Sequence, residues 1–264
     1  MAGIGHSGGV LRAAVGLVLP PSCAGCGAGG AVLCPRCSAP LRGPAGPHTP
    51  VPRPVGLPPL WATTRYDGAV RAALIGYKDR NRRDLAAPLA AALARAVRSA
   101  AGPVAAQPLV DPAVAVLPVA ALPVAAQPVV ALPLVGPRVA LVPVPSRRAA
   151  ARRRGGDHVL RLARVAAGLF GGQAVVCPAL RPHGRLADAA GLSAQQRRTS
   201  RVGTLAVHAA YTAWLAGRAG APAVVLVDDL VTTGATLAEA AVTLRGAGVP
   251  VWAAAVIAAT QRSH

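Results

Sequence analysis

The chain has 264 residues, which is enough for one α/β domain and a small additional module. Hydrophobic residues make up 53% of the chain and aromatic residues only 3%, so the core must consist mainly of Val, Leu and Ala. The net charge of +19 favours a polyanionic partner, either a pyrophosphate compound or a nucleic acid, although a coding bias towards Arg would also produce an unselected basic surface.

The sequence predicts no transmembrane helix. The apolar region between about residues 103 and 145 is interrupted by proline every few residues. An apolar run at Ala13–Leu19 is too short and too weakly flanked to be read as a signal peptide. We therefore expect a cytoplasmic protein, in which disulfides are disfavoured and the cysteines need another explanation.

Four cysteines near the N-terminus form a C-x2-C-x7-C-x2-C array, which consists of Cys23, Cys26, Cys34 and Cys37. Two such pairs supply four thiolates that can converge on one point, as tetrahedral Zn²⁺ requires. Two disulfides or a redox-active Cys pair are the alternatives. Disulfides suit an oxidising compartment, and a redox site needs only one C-x-x-C pair instead of two. Because thiolates fill all four positions, the predicted zinc site is closed and structural. We assign residues 1–60 to this zinc module and its linker, and residues 61–264 to the main domain.

The main domain is predicted to begin with a strand at Trp61–Tyr66 and a helix after Asp67. That helix ends in Lys78, the only lysine of an Arg-rich chain, which is either a solvated helix end or a contact to a substrate phosphate. A second helix is predicted from Asp84 to about residue 100. Residues 101–137 are rich in Ala, Val and Pro, and proline at this density excludes helix and central strand. We interpret them as a low-complexity insertion without a role in the chemistry.

A strand from Val139 to Ser146 is predicted to end in a tight turn, after which five arginines follow within eight residues: Arg147, Arg148, Arg152, Arg153 and Arg154. Guanidinium groups beyond a strand suit a pyrophosphate, and a solvated basic loop before a helix is the alternative. A helix is predicted over 158–170, a strand over 173–177 and a return to the sheet over 205–210. This alternation of strands and helices predicts a mainly parallel sheet.

The most informative stretch is Ala223–Leu237. It begins with a continuous apolar run, which predicts a strand buried on both faces, and Asp228 and Asp229 follow directly. A loop of small and hydroxyl-bearing residues comes next, consisting of Thr232, Thr233, Gly234, Ala235 and Thr236. The start of the following helix offers free N–H groups to a phosphate, whereas the two acids suit ribose hydroxyls or a hydrated divalent cation. A strand followed by an Asp-capped helix is the alternative.

The segment from Val225 to Leu237 resembles the phosphoribosyl pyrophosphate (PRPP) binding motif of the type I phosphoribosyltransferases. The resemblance implies an α/β fold with a mainly parallel sheet flanked by helices and a flexible loop over the site. It also implies that Asp228 and Asp229 hold the ribose hydroxyls and the hydrated Mg²⁺, and that residues 232–236 hold the 5′-phosphate.

The order of the motifs along the chain is similar to that of the ComF family of competence-associated phosphoribosyltransferase-like proteins. These motifs are the two Cys pairs, the Tyr-Lys helix, the Val-Pro-Val-Pro strand, the Arg-Gly turn and the acidic stretch. In that family the region of residues 142–147 serves as the pyrophosphate loop. The pyrophosphate contacts that we expect on this basis are Pro145, Ser146, Arg147, Lys78 and Arg185, the last on the flexible loop. The chain departs from the family at Gly156, Asp157 and His158, where Phe, Asn and Gln are usual.

The resemblance implies a function as well as a site. The implied activity is transfer of a phosphoribosyl group from PRPP–Mg²⁺ to an unknown acceptor, with Zn²⁺ as a structural metal. One alternative is a module that binds PRPP or a nucleotide without turnover. The other is a factor in DNA uptake, with single-stranded DNA or the competence machinery as its partner.

Overall fold

A computed structural model describes residues 21–102, 138–146, 156–183, 204–216 and 221–260, and the structural statements below concern these residues. Three groups of predicted features lie outside them: the insertion from residue 103 onward, the arginines between 147 and 154, and Arg185.

A mostly parallel sheet lies at the centre of the molecule. The strands in chain order are β1 (Gly46–Pro47), β2 (Leu60–Arg65), β3 (Val139–Pro143), β4 (Ala174–Val176), β5 (Leu180–Pro182), β6 (Leu205–Val207), β7 (Ala223–Val231) and β8 (Ala253–Ala259). Six of them form the sheet in the order β1-β2-β8-β7-β3-β4. The short strand β1 pairs antiparallel with β2, and the other neighbours pair in parallel. The mostly parallel sheet predicted from the alternating elements is thereby confirmed.

Helices cover both faces of this sheet. They are α1 (Pro35–Arg42), α2 (Gly68–Asp79), α3 (Ala86–Ala101), α4 (His158–Gly168), α5 (Ala209–Leu215) and α6 (Ala235–Gly246). Successive residues of a strand point to opposite faces, so Val225 and Val227 pack with α3 and α4, whereas Val224 and Leu226 pack with α6. Burial on both faces explains why β3 and β8 are buried at every position and why their sequences are continuously apolar.

The Cys-rich segment packs against the same core. Leu41 of α1 is buried in the apolar cluster that includes α2 and α3. Two hydrogen bonds reinforce this contact: Arg82 Nη1 donates to the carbonyl of Ser22 at 2.9 Å, and Arg95 Nη1 donates to the carbonyl of Leu41 at 3.3 Å. The four-Cys segment is therefore seated on the helices that precede the insertion.

Two predicted elements differ from the observed ones. Strand β7 continues through both aspartates to Val231, because its ladder with β8 extends beyond the apolar run. The predicted return to the main sheet at 205–210 is wrong: β6 pairs antiparallel with β5 outside that sheet, and α5 begins at Ala209. Thr204 donates from its backbone N–H to Glu239 Oε1 of α6 at 2.7 Å, which holds this ribbon on the α6 side. A three-residue apolar run has no periodicity that identifies its partner strand.

Candidate functional site

The carboxyl ends of β3 and β7 form the centre of the candidate site. The two strands are parallel neighbours, with Pro143 of β3 opposite Val227 of β7. Polar residues that follow each strand therefore lie at the same edge of the sheet, where ligands of open α/β sheets bind. Ser146 stands beyond β3, and the two aspartates occupy the end of β7.

Asp229 is held by two cationic or potentially cationic side chains. Its Oδ2 lies 3.1 Å from Lys78 Nζ of α2 and 3.2 Å from His158 Nε2 of α4, and only 3% of the residue is exposed. Burial by itself raises the pKa of this carboxyl group, but the His158 hydrogen bond and the Lys78 charge outweigh that effect. The pKa of Asp229 consequently lies well below its usual range, and the residue is an anion at neutral pH.

Asp228 has a different environment. It is partly exposed, and its Oδ1 accepts a hydrogen bond from the backbone N–H of Asp229 at 2.8 Å. Burial and the adjacent charge of Asp229 raise the pKa of Asp228 well above its usual value. Of the two adjacent acids, Asp228 is thus the more accessible one, and it is the one whose negative charge is disfavoured in the absence of a ligand.

Asp157 and His158 connect the segment after β3 to the acidic pair of β7. Asp157 caps α4 by accepting from the backbone N–H groups of Val159 and Leu160. Its Oδ2 also accepts from the backbone N–H of Ser146 at 2.8 Å, and the Ser146 hydroxyl lies 3.0 Å from His158 Nδ1. The sequence pattern alone predicted no role for either residue. An Asp directly before an amphipathic segment was the available signal for the cap.

The loop between β7 and α6 has a backbone conformation that favours glycine. Gly234 adopts a left-handed conformation with φ of 75° at the start of α6. A Cβ atom at this position would lie 3.2 Å from side-chain atoms of both Leu57 and Pro50, which would have to shift by a few tenths of an ångström, so this close approach adds to the preference for glycine set by the positive φ. Thr233 Oγ1 accepts from the backbone N–H of Ala235 at 3.4 Å. The start of α6 follows the carboxyl end of β7 after this short loop, and a helix start favours an anion.

The structure brings part of the predicted site together. Lys78 reaches Asp229, Ser146 is linked to the same acid through His158, and Pro145 is half-buried at the end of β3. The predicted pyrophosphate contacts Arg147 and Arg185 lie outside the described residues.

The four N-terminal cysteines converge as predicted. The Sγ atoms of Cys23, Cys26, Cys34 and Cys37 all lie within 4.8 Å of one another. Cys26 Sγ and Cys34 Sγ are 3.8 Å apart, which is close to the separation of about 3.8 Å expected for two thiolates at a tetrahedral ion with Zn–S bonds of about 2.3 Å. The cluster can therefore hold a structural metal such as zinc.

Local backbone geometry explains this convergence. The backbone N–H of Cys34 donates to Cys23 Sγ at 3.3 Å, and this hydrogen bond is the main cause that lowers the pKa of Cys23 to about 6. A thiol with this pKa is largely a thiolate at neutral pH, which is the form that binds metals. Gly25 is required because a Cβ atom there would lie 2.6 Å from Cys37 Sγ.

None of the helices within the described ranges is both long enough and apolar enough to cross a membrane. No protein-family model matches the chain, and no curated protein matches it at a significant level of similarity.

Proposed function

We propose that the protein binds PRPP together with Mg²⁺ and transfers the phosphoribosyl group to a nitrogen acceptor. One observation carries the proposal: an acidic pair, a left-handed glycine and a helix start follow one another at the carboxyl end of β7, a strand in the middle of the parallel sheet. Acceptors for ribose hydroxyls and donors for a phosphate are thus adjacent, as a phosphorylated ribose requires.

Three features of the site have specific roles in this proposal. Asp228 accepts hydrogen bonds from the ribose hydroxyls or binds the hydrated cation, because carboxylate oxygens are suitable ligands for Mg²⁺. The start of α6 binds the 5′-phosphate. Lys78 Nζ donates to both carboxylate oxygens of Asp229, and 35% of its side chain stays exposed, so a further N–H of the ammonium can reach the pyrophosphate.

The chemistry that follows is a displacement at C1′ of the ribose. The C1′–O bond to pyrophosphate breaks, a C1′–N bond to the acceptor forms, and the pyrophosphate leaves with the bonding electron pair. Mg²⁺, when bound, would neutralise charge on the departing pyrophosphate. The chain contributes fixed charges on both sides of the reacting carbon: the Asp228 carboxylate near the ribose, where positive charge develops, and the Lys78 ammonium near the leaving group.

The proposal extends to the metal, the compartment and the relatives of the chain. The four-thiol cluster binds zinc with a structural role, and the reducing cytoplasm keeps these thiols free for the metal. The order of motifs associates the chain with the ComF proteins.

Two measurements test this function. Calorimetry with PRPP and Mg²⁺ should detect binding that Asp228→Asn weakens, and pyrophosphate release should follow addition of the correct purine, pyrimidine or nicotinamide-type acceptor. The control is Asp67→Asn, which removes a carboxylate whose side chain is 64% exposed and should leave binding unchanged. A protein that binds neither PRPP nor ribose 5-phosphate would contradict the proposal.

A second candidate is binding of PRPP without turnover, as in a sensor. The observation in its favour is that Asp229 is already paired with Lys78 and His158, which leaves one accessible carboxylate for both the ribose and the cation. Calorimetric PRPP binding combined with no pyrophosphate release across the full acceptor panel would establish this function in place of transfer.

A further inference from the structure

His158 forms a bridge between the ends of two neighbouring strands. Its Nδ1 lies 3.0 Å from the Ser146 hydroxyl beyond β3, and its Nε2 lies 3.2 Å from Asp229 Oδ2 at the end of β7. The residue is 4% exposed, so the ring itself is shielded from solvent. The ring is fixed at the start of α4 by the Asp157 cap, whose carboxylate also holds the backbone N–H of Ser146.

The hydrogen-bonding capacities of the three side chains show that the bridge does not require one protonation state. An ionised carboxylate only accepts, so the His158 Nε2 that faces Asp229 carries a proton. In a neutral ring, Nδ1 then accepts from the Ser146 hydroxyl. In a charged ring, Nδ1 donates to that hydroxyl oxygen, and the hydroxyl proton turns to Asp157 Oδ1, which lies 3.3 Å away. The two strand ends stay connected in both cases.

We propose that His158 is a positioning residue that couples the two ends of the substrate site through Ser146 and Asp229. This inference rests on the proposed function, with the pyrophosphate at the segment that follows β3 and the ribose at Asp228 of β7. A ligand that spans both ends would hold the strand ends in the geometry that the bridge already imposes. A fragment that occupies one end would gain much less from the bridge. Such a coupling is a free energy shared between two sites and is therefore reciprocal.

Two substitutions cut the bridge at opposite ends. The amide of Asn reaches about as far as His Nδ1, so His158→Asn keeps the contact to Ser146 and loses the contact to Asp229. The amide of Gln reaches about as far as His Nε2, so His158→Gln keeps the contact to Asp229 and loses the contact to Ser146. The exposed His208 of the β6–α5 connection provides the matched controls His208→Asn and His208→Gln.

The binding experiment compares PRPP with its two halves. Calorimetry in the presence of Mg²⁺ measures the affinities for PRPP, inorganic pyrophosphate and ribose 5-phosphate. We expect both His158 variants to bind PRPP about tenfold more weakly, with the affinities for the two halves changed by about twofold or less. The His208 variants should match the wild type. Wild-type PRPP affinity in His158→Gln would show that His158 serves Asp229 alone, and an equal loss for one of the halves would show a local defect; either result overturns the proposal.

A second experiment tests the bridge without any ligand. Ser146→Ala and Asp229→Asn are combined in a double-mutant cycle, and the melting temperature of each variant is measured. We expect the two effects to be non-additive by about 2–4 °C in the wild-type background and additive in the His158→Gln background. Additivity in the wild-type background would refute the bridge. If the wild type binds no PRPP, the proposed function fails, and this cycle alone decides whether His158 couples the strand ends.

Discussion

The adjacent residues Asp228 and Asp229 should respond to the same substitution with opposite changes in stability. In ligand-free protein at pH 7, Asp229→Asn should destabilise the fold, because it leaves the buried His158 and the ammonium of Lys78 without their anion. Asp228→Asn should stabilise the fold, because it removes a carboxylate whose ionisation is disfavoured by burial and by Asp229. The amide oxygen can still accept the hydrogen bond from the Asp229 backbone N–H.

The contacts of Asp229 determine how much stability Asp229→Asn should lose. Losing a buried hydrogen bond to a charged group costs about 1.5–3 kcal/mol, and the Lys78 pair adds about 0–1 kcal/mol because solvent screens its partly exposed ammonium. A total of about 1.5–4 kcal/mol corresponds to a fall in melting temperature of roughly 3–16 °C for a chain of this size. The gain for Asp228→Asn should be about 1 kcal/mol or less, since partial exposure limits the penalty that is relieved.

The pH dependence follows from the directions of the two pKa shifts. The pKa of Asp229 is lowered by folding, so its stabilising contribution is complete above the unfolded value of about 3.9 and is lost below it as the pH falls towards the folded value. The deficit of Asp229→Asn should therefore stay constant between pH 7 and about pH 5 and shrink below about pH 4. The pKa of Asp228 is raised, so the advantage of Asp228→Asn should fade as the pH falls and the wild-type carboxyl group becomes protonated.

Thermal denaturation in buffer without divalent cations measures both effects. Asp67→Asn is the control. Asp67 pairs with Arg65 at 3.6 Å, but both side chains are largely exposed, so the substitution should change the free energy of unfolding by about 0.5 kcal/mol or less. Two results would contradict this reasoning: a melting temperature of Asp229→Asn equal to that of Asp67→Asn, or shifts of Asp228→Asn and Asp229→Asn in the same direction. Either would show that Asp229 is not the ion-paired acid and Asp228 the unpaired one.

Two glycine substitutions test the metal cluster and the α6 loop. Gly25→Ala places a Cβ atom 2.6 Å from Cys37 Sγ, so the purified variant should contain much less zinc by elemental analysis, whereas Gly29→Ala, with no neighbour within 4 Å, should keep one zinc per chain; equal zinc contents would argue against the metal site. Gly234→Ala must adopt φ of 75° against Leu57 and Pro50, so it should lose about 1–2 kcal/mol of stability and weaken ribose 5-phosphate binding. Gly246→Ala, at the end of α6 in open space, should be neutral, and an equally neutral Gly234→Ala would show that the loop conformation is not required.

Local patterns in the sequence determine the elements that carry the site. The apolar run from Ala223 predicts a strand buried on both faces, and β7 is such a strand. The spacing of the cysteines predicts a four-thiol cluster because each C-x-x-C pair turns within a few residues, and the four sulfur atoms do converge. The loop of small and hydroxyl-bearing residues after the two acids is predicted to lead into a helix, and α6 begins at Ala235. These features depend on neighbours in the chain, which is why single-sequence reasoning can identify them.

Tertiary packing alone decided the partners of the acidic pair. Lys78 and Asp229 are 151 residues apart in the chain and His158 and Asp229 are 71 apart, yet all three side chains meet at one edge of the sheet. Their meeting depends on how α2 and α4 pack on the sheet beside β7, and no short motif encodes that arrangement. The same reason explains why β6 was assigned to the wrong sheet. The sequence does not show which of the two adjacent carboxylates forms the ion pair. Only the positions of Lys78 and His158, which are distant in the chain, distinguish Asp229 from Asp228.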